Sequence, residues 1–450
     1  MKLERFKEKN NKKRFIIVFT ACCILLLTGV LLYNSFAVFT EEKEFNVING
    51  RYQDPGDIYF AYYVDGQITR ELPKQNTGYI FDEESSNCTN GVVPTFDNSS
   101  WKFTADYSGY NAIDYTRTKC NLYFKTGTKT VSTVLGDLEV YIYTPDFTKS
   151  ACDDATCESH EKGVFETTDD DGVSYYYRGS VENNYVSFAG YYWRIIRING
   201  DGTIRIIYDG TSPHANGEAS TDRYYTTTTF NPAYTDNMYV GYMYTSGEVH
   251  GLGTSSTIKT ANDNYYVSNL SSYSAYINTN AGFCGDRSTL NGTSTAGTGK
   301  TVTFYGGYLR TLNGNPSLLC ENTSDYYTVP SSNKGNKALT YPIGLITADE
   351  VMLAGFAGGD VNVFGKAPSS SVNNYLAIGN HFYSITPIAY HNAFYYSPYT
   401  VDIFSVTSYN ALYSLCVNNL IGLRPVINIR SDVTVSGDGT MDSPYRLSGN

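Results

Sequence analysis

Tyr-Tyr-Trp-Arg-Ile-Ile-Arg-Ile (Tyr191–Ile198), Asn-Gly-Asp-Gly (Asn199–Gly202) and Thr-Ile-Arg-Ile-Ile-Tyr (Thr203–Tyr208) follow one another without a break. Two runs of β-branched and aromatic residues around a Gly-rich turn predict a β-hairpin. Working outward, Ser255–Leu270 reads as a helix: Ile258, Ala261 and Tyr265 recur on one face, and Ser255 and Ser256 offer N-caps. Thr347-Ala348-Asp349-Glu350 is a capping box opening a short helix that ends near Gly355. Ile421–Ile429 reads as a late strand, with Pro425 arguing for a sheet edge or a strand end. Together these predict an α+β, β-rich domain with two short helices over 173–450.

Upstream, 146–172 is poor in apolar residues and carries Asp153-Asp154, Glu158, Glu161-Lys162 and Asp169-Asp170-Asp171. It reads as an acidic linker. Clustered carboxylates can hold calcium, but the fixed spacing and closing Glu of a calcium loop are missing. Before it, 45–145 reads as a small, sandwich-like β-rich stalk domain. Asp57–Val64 and Gln67–Leu72 flank Asp65-Gly66, a hairpin signal, and Asp137–Tyr143 alternates as a half-buried strand does.

The N-terminus sets the compartment. Residues 1–14 form a basic tail with seven Lys/Arg against two Glu, and Phe15–Thr40 carries no charge. The run 15–40 is long enough to span a bilayer as a signal-anchor. The basic flank predicts a cytoplasmic tail, single-pass insertion in the cell membrane and an extracellular C-terminal part. A signal peptide cleaved near Ala37, releasing a secreted protein, is the alternative. A type IV prepilin is excluded, because no acidic residue lies between Glu8 and Glu41.

The chain's net charge of −11 includes this basic tail, so the outer part is near −16. That disfavours nucleic acid as a partner. Of nine Cys, Cys22 and Cys23 lie in the apolar run. Nearest-neighbour pairing in an oxidising compartment predicts disulfides Cys88–Cys120, Cys152–Cys157 and Cys284–Cys320, with Cys416 left over, although spacing does not fix connectivity. Zinc is the rival reading, and neither a CxxC pair nor a His beside a Cys pair supports it.

Four further stretches carry a resemblance: Trp193–Gly202, Gly282–Arg287 (Gly-Phe-Cys-Gly-Asp-Arg), Tyr341–Glu350 and Gly422–Asn428 (Gly-Leu-Arg-Pro-Val-Ile-Asn). Over most of 173–450 the chain resembles a family of poorly characterised bacterial surface proteins. The Gly-Leu-Arg-Pro-Val strand is similar to the end of the C-type-lectin-like and formylglycine-generating-enzyme folds. The resemblance implies a C-type-lectin-like head with a core sheet and long variable loops. At Phe382–Pro387 the sequence departs from the family pattern, since Tyr383 stands where a Trp is usual. The calcium-binding tripeptides of sugar-binding lectins are missing. Formylglycine-generating relatives hold copper with two cysteines, for which Cys284 and Cys320 are the only candidates, and these read better as a structural disulfide.

Chemistry-bearing motifs are few. His160, His214, His250, His381 and His391 show no metal spacing, and there is no GxSxG elbow or Walker loop. No metal, cofactor or catalytic residue is expected. Asp286 and Arg287 read as an ion pair fixing the Cys284 loop, and Arg424 as a part-buried arginine paired to a carboxylate. Tyr390, His391, Asn392, Tyr395, Tyr396, Tyr399 and Tyr409 crowd into one segment with Ser and Asn, a paratope-like composition. A tyrosine-rich β core is the alternative there. From Ala367 to Thr440 there is no Lys, Glu, Gln, Met or Trp, the residues that codons ending in C or T cannot encode. That gap fits retroelement-driven diversification of this segment. The expectation is a membrane-anchored extracellular recognition or adhesion protein, not an enzyme, whose 387–420 loops bind an unknown protein or glycan. The alternatives are a passive structural surface protein and a cell-wall or carbohydrate-active hydrolase.

Overall fold

The computed structural model describes residues 58–73, 79–97, 102–111, 118–126, 129–131, 138–151, 161–290, 293–358, 373–393, 397–406 and 412–448. The apolar run Phe15–Thr40 lies outside these. Among the described residues no helix is long and apolar enough to cross a membrane. The chain is β-rich with few helices and divides into two compact units, Met1–Glu71 with Phe81–Phe124, and Leu72–Ile80 with Lys125–Asn450.

In the first unit, Tyr59–Val64 and Gln67–Thr69 pair antiparallel, as their sequence predicts. Asp65 and Gly66 both take positive φ, 46° and 78°, the left-handed geometry of a tight hairpin turn. Lys119–Thr126 runs parallel to Tyr59–Val64 and antiparallel to Asn87–Cys88. The second pairing sets Cys88 opposite Cys120, and the two form a disulfide. Phe81, Phe96 and Phe124 stack into a core, with ring centroids 5.3–5.7 Å apart.

The second unit is built on the hairpin Tyr191–Ile198 and Ile204–Gly210. Trp193, Ile195, Ile196, Ile206 and Ile207 are buried, and Trp193 Nε1 donates to Phe188 O at 3.1 Å. On one side Val426–Ile429 adds antiparallel to Ile204–Gly210. On the other, Tyr185–Phe188 and Gly172–Arg178 pair with Tyr191–Ile198. A second sheet orders Thr226–Thr228, Ile421–Leu423, Phe382–Ala393, Ser397–Val406 and Leu412–Cys416.

Several expectations change here. The linker assigned to 146–172 contains the strand Gly163–Asp169, paired along its length with Gly172–Arg178. Val164 and Phe165 are buried in it, and the carboxylates of 169–171 gather at its turn rather than along a solvated connector. Val140–Tyr141, the surviving part of the strand expected at Asp137–Tyr143, pairs with Gly163–Asp169. Both therefore belong to the second unit, whose sheet begins well before residue 173. Three α-helices rather than two are described: Thr257–Tyr265, Gly306–Leu312 and Ala348–Leu353. The unexpected one opens on Gly306-Gly307 and has no side-chain N-cap, so neither propensity nor capping announces it. The late strand is split. Ile421–Leu423 belongs to one sheet and Val426–Ile429 to the other, with Arg424-Pro425 at the switch where a proline's missing N–H breaks the ladder.

Candidate functional site

A cleft opens in the second unit where the Asp169–Gly172 turn, the Asn199–Gly202 turn and the segments Gly282–Asp286 and Ser317–Leu319 meet the start of helix Ala348–Leu353. Disulfide Cys284–Cys320 ties two of these walls together. Gly200 lets the two turns touch. A Cβ there would lie 2.5 Å from Asp169 Oδ1, and its N–H donates to Asp169 Oδ2 at 3.0 Å.

Ion pairs fill most of the cleft. Arg197 and Arg205 stand opposite each other on the central hairpin, an unfavourable like-charge neighbourhood. Glu350 resolves it, with Oε1 2.9 Å from Arg197 Nε and 2.6 Å from Arg205 Nε. Glu350 Oε2 accepts the Thr347 N–H at 2.9 Å, so the capping-box residue read from sequence also supplies the counter-ion. Burial alone would raise the Glu350 carboxyl, but Arg205 and Arg197 override it and hold it below its ordinary value. Arg197 Nη1 also reaches Asp169 Oδ2 at 2.7 Å. Arg310 grips Asp349 with Nε and Nη2, at 2.8 and 3.0 Å, and Asp286 Oδ2 with Nη1 at 2.6 Å. Burial opposes the charge of Arg310, yet those two carboxylates leave it raised. Lys334 Nζ lies 2.5 Å from Asp171. The sixth carboxylate, Asp170, sits exposed at the turn and receives the Cys320 N–H on both oxygens at 3.2 and 3.1 Å.

The expected pair of Asp286 with Arg287 does not form. Asp286 turns to Arg310, while Arg287 Nε donates to Asp325 Oδ1 at 2.8 Å beneath the Cys284 loop. Asp325 in turn faces His250 Nδ1 at 3.0 Å, and Asn322 Nδ2 lies 3.1 Å from His250 Nε2. Both ring nitrogens are thus engaged, and the dyad has the character of a structural network. Arg424 is fully buried and pairs with Asp209 at 2.8 Å, as expected of it.

The aromatic segment expected as binding loops is strand: Phe382–Ala393, Ser397–Val406 and Leu412–Cys416 form an antiparallel ribbon. Tyr390 is 1% exposed and its hydroxyl donates to Thr235 O at 3.3 Å; His391 is 6% exposed and stacks on Phe304. These two are packed rather than displayed, because strand-favouring tyrosine fills a core as readily as it lines a paratope. The side chains of Asn392 and Tyr399, and all of Tyr395, Tyr396 and Tyr409, lie outside what is described, as do Cys152 and Cys157. Tyr383 is buried, and its one O–H is shared between Cys416 O at 3.0 Å and Asn419 O at 2.8 Å. Cys416 takes part in neither described disulfide. Among the described residues no group of three His, Cys, Asp or Glu is arranged to hold a metal.

Sequence reasoning named Asp169–Asp171 only as linker carboxylates, and it missed Arg310 and Lys334. The turn itself is Asp170-Asp171, with Gly172 opening the next strand opposite Asp169, so it carries no Asp-Gly pair at its centre of the kind seen at Asp65-Gly66. No family model, no curated protein and no solved structure matches the chain.

Proposed function

We propose that the chain is a membrane-anchored, outward-facing recognition protein, and that its second unit is a C-type-lectin-like head that binds without turning over its ligand. The observation that carries this is the state of the cleft's carboxylates. Five of the six that line it are engaged by Arg197, Arg205, Arg310 or Lys334. A glycosidase needs two facing carboxylates, one free to donate a proton and the other to attack or to activate water. Asp286 and Asp349 are instead clamped by one arginine, and Glu350 by two. An array of fixed charges recognises a ligand by complementarity and gives it no acid–base pair. The burial of Tyr390 and His391 favours the structural-protein alternative at those two positions, and it moves the recognition reading from the aromatic ribbon to the cleft.

The test is to screen the purified full-length chain on glycan and protein arrays, beside hydrolysis assays on cell-wall polysaccharide. Specific capture without turnover supports the reading. Turnover abolished by Asp349→Asn or Asp286→Asn would overturn it.

A further inference from the structure

Resting on that reading, we infer that the cleft takes the ammonium head of an alkylamine, seated on Asp170. Charge points there first. Six carboxylates and three arginines line the cleft, a balance of −3, and Lys334 on Asp171 brings it to −2. Among the described ion pairs Asp170 appears in none, and its hydrogen-bond partner is a neutral backbone amide. Partial desolvation raises its proton affinity, the Cys320 amide opposes this, the charges of Asp169 and Asp171 add to it, and the more distant charge of Arg197 lowers it. It is an anion with no cation in direct contact.

Size narrows the class. The cavity is about 30 Å³, room for about two water-sized groups. Pockets that enclose drug-sized ligands run from about 300 Å³ upward, so the cavity does not enclose a sugar or aromatic ring. An ammonium is water-sized. It also brings three donors, and one more acceptor stands at the cavity wall: Asn199 lines the same cavity, is 4% exposed, and its buried Oδ1 has no hydrogen-bond partner in the structure. The amide's Nδ2 is committed to Thr203 and Asn428, which fixes Oδ1 as the spare atom. Leu318, paired with Asp169 in a β-bridge, and half-exposed Leu319 form an apolar lip. Such a lip suits the methylene stem behind the ammonium, as on a lysine side chain or a polyamine.

The test uses the purified full-length chain and fluorescein-labelled tetralysine, read by anisotropy, with unlabelled spermidine, tetraarginine, tetraglutamate and calcium chloride as competitors. Tetralysine is expected to bind, and Asp170→Asn to weaken it at least tenfold with an unchanged melt. Asp442→Asn, an exposed aspartate outside the cleft, should leave binding as it was. Displacement by spermidine at or below the concentration of tetralysine would mark a polyamine as the source; much tighter tetralysine would mark a lysine-bearing polypeptide. Equal binding by wild type and Asp170→Asn, competition by tetraglutamate, or calcium saturating the site below any amine would overturn the inference. So would absence of tetralysine binding. In that case an array ligand insensitive to Asp170→Asn leaves the recognition reading standing, whereas loss of every array ligand removes both.

Discussion

Asp209→Asn strips the one carboxylate from a nest of three arginines. Arg194, Arg223 and Arg424 are fully buried, and Asp209 is 1% exposed. Asp209 Oδ1 lies 2.8 Å from both Arg223 Nη2 and Arg424 Nη2, and Oδ2 lies 3.9 Å from Arg194 Nη1. The remaining guanidinium donors reach carbonyls and amides, among them Tyr375 O, Tyr208 O and Asn184 Oδ1. Those dipoles solvate the charges without neutralising them. Arg194 also lies over the Tyr185 ring at 3.7 Å. Removing one partner of a buried pair costs about 3–5 kcal/mol, and with three cations sharing the anion the upper end applies. At about 2 cal/mol/K per residue, a unit of roughly 300 residues unfolds with an entropy near 0.6 kcal/mol/K, so about 5 kcal/mol becomes a Tm loss of about 8 °C. Calorimetry on the full-length wild type, Asp209→Asn, Arg424→Met and the double variant measures it. Arg424→Met should cost less than Asp209→Asn. The double should cost less than the sum of the singles, because losing Arg424 relieves part of the stranded charge. Asp209→Asn within about 1 °C of wild type, or a strictly additive double, would refute the counter-ion account.

Four further outcomes are expected. Glu350→Gln should destabilise by about 3 kcal/mol at pH 7; because the folded-state carboxyl lies below its ordinary value, the wild type's advantage should be full above about pH 4.3 and fade as pH falls through the depressed value, which paired melts at pH 7 and pH 3 check. His214 is buried with Nδ1 3.0 Å from Glu218 and Nε2 2.9 Å from Asp222. His214→Gln should therefore lose about 1.5–3 kcal/mol, read by denaturant titration. Tyr383→Phe should cost about 1 kcal/mol through loss of the hydrogen bond its hydroxyl shares between two carbonyls, again by titration. Non-reducing peptide mapping should recover Cys88–Cys120 and Cys284–Cys320 as linked peptides, and a Cys284 peptide joined to any other cysteine would contradict the cleft's stapled walls.

How much of this was legible depended on whether the signal was local. The hairpin at Tyr191–Tyr208, the Thr347–Glu350 capping box and the Asp65-Gly66 turn are each written within a few residues, and each folds as read. Ser256 caps helix Thr257–Tyr265 and its Ile258 and Tyr265 are buried, as the periodicity implies. The failures are long-range. Gly163–Asp169 is too polar to stand out, and becomes a strand because Gly172–Arg178 lies beside it. Arg310 meets Asp286 and Asp349 across 24 and 39 residues, a partnership with no local trace. Tyr390 and His391 failed as contact residues for another reason. The Tyr-rich composition around them serves an exposed paratope and a buried ribbon equally, and at these two positions burial separates the two.

The two charge clusters of the second unit differ in a way that bears on function. Around Asp209, cations outnumber the anion and everything is sealed from water, so the cluster can only hold the sheet junction at Arg424-Pro425 together. In the cleft the anions outnumber the cations, and two of the three arginines are partly exposed, Arg197 at 11% and Arg310 at 19% of their side chains, while Arg205 is buried. A sealed excess charge must be answered inside the fold, but an open one can be answered by a partner. The hairpin turn that bears Asp170 is short, pinned by Gly200 and by the Cys320 amide, and backed by a disulfide. Such a site is preorganised: little ordering cost remains when a cation arrives. The surplus of negative charge at the cleft's mouth is therefore the feature on which the proposed recognition of a cation rests.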